Sequence, residues 1–512
     1  MNVTGPQASA GLPRWPIAIL VLGLLIVSRL AFAPQYLYYF DNINFALALE
    51  EFNPSLHQPQ PPGYPLFVGL SRLLHTVIGS PREVFLAAGL LGSALSLLFL
   101  WLLGREMFHE RVGWLAALLL LFNPAFWLGG ITHQVRVFLA TGATAVTLAC
   151  WRAAKKDSSP RWFYTACMLL ALAGGFRPAS MFMLAPVVIL AGVRSGRTFR
   201  QWLTAFALGG AVTAGWLWVT IQATGGFFVY LSTLQNYATS EFSGSSMLWG
   251  GNQDSAARMF IAAVTWNGIG LLTWIWALPI ARRGPAIDDW RWKSAFLAVR
   301  FLPAFLFHAI VHVGDPDQTI ITAPVICLLG AVVLANTFTV VRRPYLVAAA
   351  AVVLNVVLFV RPLPGIARAA SLRAVRSIDN QTQAAFTSLM ELRTGRRLAV
   401  ISYRSLITWR HLSYYFPDLP LVVLHQDPQA SPEPRSSWFL LERTTSAPPV
   451  ANGEILLPPG VNRVAFLLAP DPTLKNLLSD KGTWQEQGPF LYKQVRPGDS
   501  LRFGAYRFQV PR

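Results

Sequence analysis

Residues 15–360 are filled by a succession of apolar runs, most of them long enough to cross a bilayer. The runs are 15–33, 84–103, 112–130, 134–151, 161–176, 179–193, 201–222, 258–280, 294–312, 318–338 and 345–360. A hydrocarbon core needs roughly 20 apolar residues of helix, so the pattern predicts a polytopic α-helical membrane protein with about 11 transmembrane helices. The shortest runs, near 161–193, are expected to tilt or merge. Only 13% of the residues are charged, where a soluble globular chain carries roughly a quarter.

The loops between the runs alternate in charge, which predicts their side. Arg14 precedes the first run, and Arg105 and Arg111 follow the second. Arg152, Lys155, Lys156 and Arg161 follow the fourth, and Arg194, Arg197 and Arg200 the sixth. Arg282, Arg283, Arg291 and Lys293 follow the eighth, and Arg342 and Arg343 the tenth. Cytoplasmic loops collect Lys and Arg, so the N-terminus is expected in the cytoplasm and the C-terminal region outside it. Much of the net charge of +18 is therefore an orientation signal. It marks membrane lipid as a partner and gives no reason to expect nucleic acid. Ala31-Phe32-Ala33 also fits a signal-peptidase site. Cleavage there is the competing reading of 1–33, although the apolar run is long for a leader. Cys150, Cys167 and Cys327 all lie in apolar runs without metal-ligand spacing and read as packing residues.

Beyond residue 360 the pattern changes. An amphipathic helix is expected over 366–395, then a strand at 398–402, a helix at 405–416 and a strand at 420–425. Short β-rich runs follow at 437–442, 454–457, 463–468, 490–495 and 501–510, separated by Pro and Gly. Residues 361–512 thus read as a soluble α/β or α+β domain large enough for its own core. Trp409-Arg410-His411-Leu412-Ser413-Tyr414-Tyr415 stands out in it, either as core or as a substrate contact.

Two long outer loops, 34–83 and 224–257, interrupt the membrane part. In the first, residues 42–52 have helical spacing, with Asp41 at the start. Asp41 either caps that helix or serves as a general base at the water–lipid boundary. Glu50 and Glu51 are neighbours that present only one carboxylate to any given site. Pro59, Pro61, Pro62 and Pro65 stiffen the following backbone and Gly63 permits a tight turn, a frame for His57 and Tyr64. The second loop carries Tyr230, Asn236, Tyr237, Trp249, Asn252 and Asp254 and reads as a lid or acceptor-binding loop. Further polar groups fall at the outer ends of runs: His133, Arg136, Arg177, His308, His312, Asp315 and Asp317. Ionisable groups at membrane depth are costly and often functional. Arg136, Arg177 and His308 are candidates for binding a phosphate. His308 and His312, spaced i, i+4 beside a carboxylate, are candidates for a divalent metal.

Asp41, the His57-x-Pro59-x-Pro61-Pro62-Gly63-Tyr64-Pro65 segment and Gly175-Phe176-Arg177-Pro178, set in a multi-span body, resemble the GT-C superfamily of membrane glycosyltransferases. The likeness is to the protein O-mannosyltransferase and aminoarabinose-transferase branch and its bacterial relatives, over about the first 340 residues. It implies a bacterial cytoplasmic-membrane enzyme that performs an inverting transfer from a polyprenyl-phosphate-linked sugar donor. The acceptor would be a hydroxyl or amine on a glycan, lipid or protein, at the extracytoplasmic face. It also implies that Asp41 is the base and that His57, Tyr64, Arg136, Arg177, His308, Asp315 and Asp317 line the substrate site. A single Asp41 stands between Phe40 and Asn42 where many relatives carry an acidic pair. The competing functions are a transporter or flippase for lipid-linked sugars and a non-catalytic scaffold. No internal repeat with paired broken helices favours transport.

Overall fold

The structure, a computed structural model, describes residues 14–242, 246, 253–312, 315–362, 369–403, 409–424, 438–440, 450–451, 454–467, 478, 483–504 and 506–512. Trp249 and Asn252 lie outside the described residues. The chain divides into two compact units: residues 1–34 with 45–375, and residues 35–44 with 376–512.

The first unit is helical. Its elements are α1 (Arg14–Leu30), α2 (Phe40–Glu50), α3 (Pro65–His75), α4 (Pro81–Met107), α5 (Glu110–Phe122), α6 (Pro124–Ile131), α7 (Val137–Ala153), α8 (Pro160–Phe176) and α9 (Ala179–Arg194). They continue as α10 (Phe199–Thr224), α11 (Phe227–Phe242), α12 (Gln253–Leu272), α13 (Leu278–Ala281), α14 (Trp290–Ile310), α15 (Ala323–Thr337) and α16 (Pro344–Val360). Every apolar run of the sequence is a helix here or a helix with a break. By length and composition α4, α10 and α14 can each cross a bilayer alone, and α1, α9, α15 and α16 are shorter apolar helices. This is a polytopic helical membrane protein with a C-terminal strand region.

The run at 112–130 is a pair, α5 and α6, bent by 59°. Pro124 cannot donate to the turn before it. Asn123 starts α6 instead, its side chain accepting from the amides of Ala125 at 3.1 Å and Phe126 at 3.2 Å. A second bend, of 52°, separates α12 from the turn leading into α13. One glycine sets how closely two elements approach. A Cβ on Gly129 would lie 2.4 Å from Ile320 Cδ1, so α6 and the Pro316–Ile321 turn meet only because that position has no side chain.

The second unit holds α17 (Leu372–Arg393, which begins in the first), α18 (Trp409–Tyr415) and two sheets. Strands β1 (Leu398–Tyr403), β2 (Leu421–Leu424), β3 (Trp438–Leu440), β6 (Arg463–Leu467), β7 (Gln485–Gln487) and β8 (Phe490–Gln494) form the larger, in the order β3-β2-β1-β6-β8-β7. Strand β1 pairs parallel with β2 and β6, and β8 returns antiparallel. The smaller sheet is β4 (Val450–Ala451), β5 (Glu454–Leu456), β9 (Ser500–Phe503) and β10 (Tyr506–Gln509), ordered β4-β5-β10-β9. One apolar core joins the sheets through Ile401, Phe466, Phe503 and Phe508. Another packs Leu389 and Leu392 of α17 and Leu412 of α18 against β1.

Candidate functional site

The bend at Asn123-Pro124 sends α6 into a tight turn that carries His133 and Arg136, both almost fully buried. Opposite them, the Pro316–Ile321 turn carries Asp317, which is 0% exposed. Arg136 Nη1 lies 3.3 Å from Asp317 Oδ1 and its Nη2 lies 3.8 Å from Asp315 Oδ2. His133 Nδ1 is 3.3 Å from Asp317 Oδ2. Burial alone would raise the Asp317 carboxyl, but Arg136 and the close approach of His133 outweigh it and hold the group below its ordinary range. A buried charge of this kind is tolerated because it is paired.

Arg300, on α14, fixes the far end of the same turn. Its Nη2 donates to the Ile321 carbonyl at 2.6 Å and its Nε to Thr147 Oγ1 at 3.0 Å. Sequence reading passed over Arg300. The available signal was a single cation in the middle of the 294–312 apolar run, which membrane helices carry only when it has partners.

Arg177 differs. It follows the last turn of α8, and the hydroxyl of Ser180, on α9, donates to its carbonyl. Gly174 and Gly175 let this hairpin pack tightly, since a Cβ on Gly175 would lie 2.5 Å from Leu66 Cδ1. The Arg177 guanidinium has no hydrogen bond or ion pair within contact distance among the described residues. Burial and then the neighbouring Arg136 push its pKa down, while Tyr64, Tyr237 and Asp317 act the other way. A guanidinium stays charged under such a shift. Arg177 and Arg136 therefore give two cations in one region. Below the hairpin tip, an apolar groove of about 530 Å³ runs between α8, α9 and α10, lined by Leu170, Val188, Ile189, Trp202 and Phe206.

The remaining candidates of the first unit gather around these two arginines. His308 lies within electrostatic reach of Arg177, Arg136 and His312. The His57 ring is 6.1 Å from that of Tyr237, and Tyr230 Oη donates to the Pro62 carbonyl at 3.1 Å. The loop that holds His57 and Tyr64 is tightly wound: Gln58–Pro59 and Pro61–Pro62 are cis, and His57 and Tyr64 have φ of 55° and 50°. Gly63 has φ +109°, and a Cβ there would lie 2.9 Å from Thr220 Cγ2.

Helix α14 ends at Ile310, and His312 lies two residues past it, within electrostatic reach of His308. Among the described residues, His133, Asp315 and Asp317 bring ligand atoms within 4.8 Å of one another. The donor types suit a divalent ion. Arg136 already supplies the compensating charge to both carboxylates, so this set fits an added cation poorly.

Asp41 lies in the first turn of α2, partly exposed, and groups with the second unit. The helix start is capped by Asn42, whose side chain accepts from the Tyr39 amide at 3.2 Å. Later along α2, Phe45 groups with the first unit and packs on Tyr64 and Phe67, with ring centroids 5.4 and 4.9 Å apart.

Residues 59–220 match the family model described as dolichyl-phosphate-mannose-protein mannosyltransferase. The fold matches that of ArnT from Cupriavidus metallidurans bound to undecaprenyl phosphate, with TM-score 0.58 and 12% identity, covering 94% of this chain and 97% of that one. The chain thus shares the fold of that ArnT, and a stretch of its helical unit matches the mannosyltransferase family model. The apo form of the same ArnT matches with TM-score 0.55 and 13% identity, covering 96% of this chain and 98% of its own. No curated protein sequence matches. The family match spans both the cis-proline loop and Arg177, together with His133 and Arg136.

Proposed function

We propose that the chain is an inverting glycosyltransferase that takes a sugar from a polyprenyl-phosphate donor and passes it to an acceptor hydroxyl or amine at the extracytoplasmic face of a bacterial cytoplasmic membrane. The observation that carries this reading is Arg177, a cation with no hydrogen-bond or ion-pair partner among the described residues, beside Arg136 and at the tip of a hairpin with an apolar groove below it. A prenyl phosphate has that same layout of anion and tail. ArnT, with undecaprenyl phosphate bound, supplies a relative by fold that holds such a lipid.

In the proposed step the acceptor O–H or N–H gives its proton to Asp41. The acceptor lone pair forms a bond to the anomeric carbon as the bond from that carbon to the phosphate oxygen breaks. The leaving electron pair goes to polyprenyl phosphate, and attack from the opposite face inverts the centre. Arg177 and Arg136 stabilise the growing negative charge on the phosphate. Asp317 and His133 keep Arg136 in place. His57, Tyr64, His308 and Asp315 line the donor and acceptor pockets. Residues 361–512 form the extracytoplasmic domain of this reading, and 1–360 the transferase body.

The test is transfer by the purified protein from a panel of polyprenyl-phosphate hexoses and pentoses. Asp41→Asn is expected to lower turnover by about 10²–10⁴-fold, the range for a general base, with normal accumulation in membranes. Full activity in that variant rules out Asp41 as the base. Movement of a lipid-linked sugar across liposomes without any transfer replaces the enzyme by a transporter.

A further inference from the structure

The segment Gln35–Tyr39 has no helix or strand partner of its own. Its backbone is held by side chains far away in the chain. The Gln35 amide donates to both Asp379 oxygens at 3.1 Å. The Leu37 amide donates to Tyr415 Oη at 3.0 Å, and His411 Nε2 donates to the Leu37 carbonyl at 2.8 Å. Tyr36 bonds Gln383 through its hydroxyl and sets its ring edge-on to Phe386 and Tyr415. The Arg410 guanidinium lies 5.8 Å over the Phe40 ring. His411 is 2% exposed and Asp379 4%.

Asp379 and Gln383 come from α17, and Arg410, His411 and Tyr415 from α18, so two helices grip one strap from 344 to 374 residues further along the chain. Burying a carboxylate and an imidazole costs free energy that simple packing does not require. What these groups fix is the path of the backbone into α2. Two residues after Leu37, Tyr39 makes the reciprocal cap with Asn42: its carbonyl accepts from the Asn42 amide at 3.0 Å. Asp41 sits inside that cap. We infer that His411, Asp379 and Tyr415 are positioning residues, through which the C-terminal unit sets the first turn of α2 and the carboxylate of Asp41. The inference rests on the reading of Asp41 as the base. It gives the C-terminal unit a part in the chemistry apart from any contact with acceptor.

The experiment uses the full-length protein in detergent and two readouts. Hydrogen exchange of peptides covering residues 35–44 reports the strap without reference to activity. In His411→Ala, exchange there is expected to rise by about tenfold or more, while peptides in β1 and β6 stay unchanged. Turnover with saturating donor is expected to fall by about 10–100-fold, the scale of a misplaced catalytic group. Donor KM, and the Kd of undecaprenyl phosphate measured on the same sample, should stay within about twofold. His411→Gln, which keeps a donor for the Leu37 carbonyl, is expected to restore most of both. Unchanged exchange at 35–44 overturns the strap. Raised exchange with unchanged turnover overturns the positioning role. A loss of turnover that the glutamine variant does not rescue, or that travels with a raised KM, does the same. Failure of the base reading itself is seen separately, as full activity in Asp41→Asn.

Discussion

Arg300 and Arg177 are both guanidiniums of the helical unit, and the protein treats them in opposite ways. Arg300 is 1% exposed, with donors committed to Thr147 and to the Ile321 carbonyl. Arg177 is partly exposed and has neither a carbonyl nor a carboxylate within contact distance among the described residues. A buried cation tied to protein acceptors on two of its nitrogens holds architecture together. One left unmet beside a second cation has spare capacity for an anion from outside. Arg136 stands between them: paired with Asp317 and Asp315, yet within electrostatic reach of Arg177.

The comparison can be broken at its middle term first. Asp317→Asn leaves Arg136 buried without its closest counter-charge and is expected to cost about 3–5 kcal/mol of stability, seen as a lowered thermal midpoint in detergent. The same pair gives a pH dependence. The folded pKa of Asp317 is depressed, so its contribution to stability is present at neutral pH and is lost as pH falls through that depressed value. The wild-type midpoint should therefore drop in acid, below about pH 4, and the asparagine variant should show a shallower drop.

Arg177→Ala should act in the opposite manner: a loss of about 10²–10³-fold in turnover, weaker binding of undecaprenyl phosphate, and a thermal midpoint within about 2 °C of wild type. A collapse in stability with lipid binding preserved would erase the distinction between the two arginines. Arg300→Met keeps volume but orphans the Ile321 carbonyl, and about 1–3 kcal/mol of destabilisation is expected. Residual folded enzyme should retain donor affinity. The smallest effect is Gly63→Ala, at about 1 kcal/mol or somewhat more, because the left-handed backbone and the approach of Thr220 both oppose a Cβ.

Periodicity and hydropathy made the helical body legible, since each of the runs from 15–33 to 345–360 is a helix or a bent pair. Local chemistry drew attention to Arg136 and Arg177, because cations at the ends of apolar runs are rare, and the two lie within electrostatic reach of each other. One thing was hidden. The attachment of residues 35–44 to the C-terminal unit depends on contacts such as Leu37 to His411, and nothing local in either segment encodes a pairing at that separation. In the sequence His411 stands among aromatics that fit either a core or a substrate contact.

Arg29 sets an order on biosynthesis. In the finished protein it is 0% exposed, donates to the Leu121 carbonyl at 2.9 Å and lies 5.5 Å over the Trp127 ring. Those partners are synthesised some 92 residues later. When α1 first enters the membrane, its arginine has only the headgroups to reach for, at a cost on the order of 2.5–3.5 kcal/mol at worst. The first helix therefore settles into its final seat only after α5 and α6 arrive, and a ribosome stalled before residue 121 should leave it extractable.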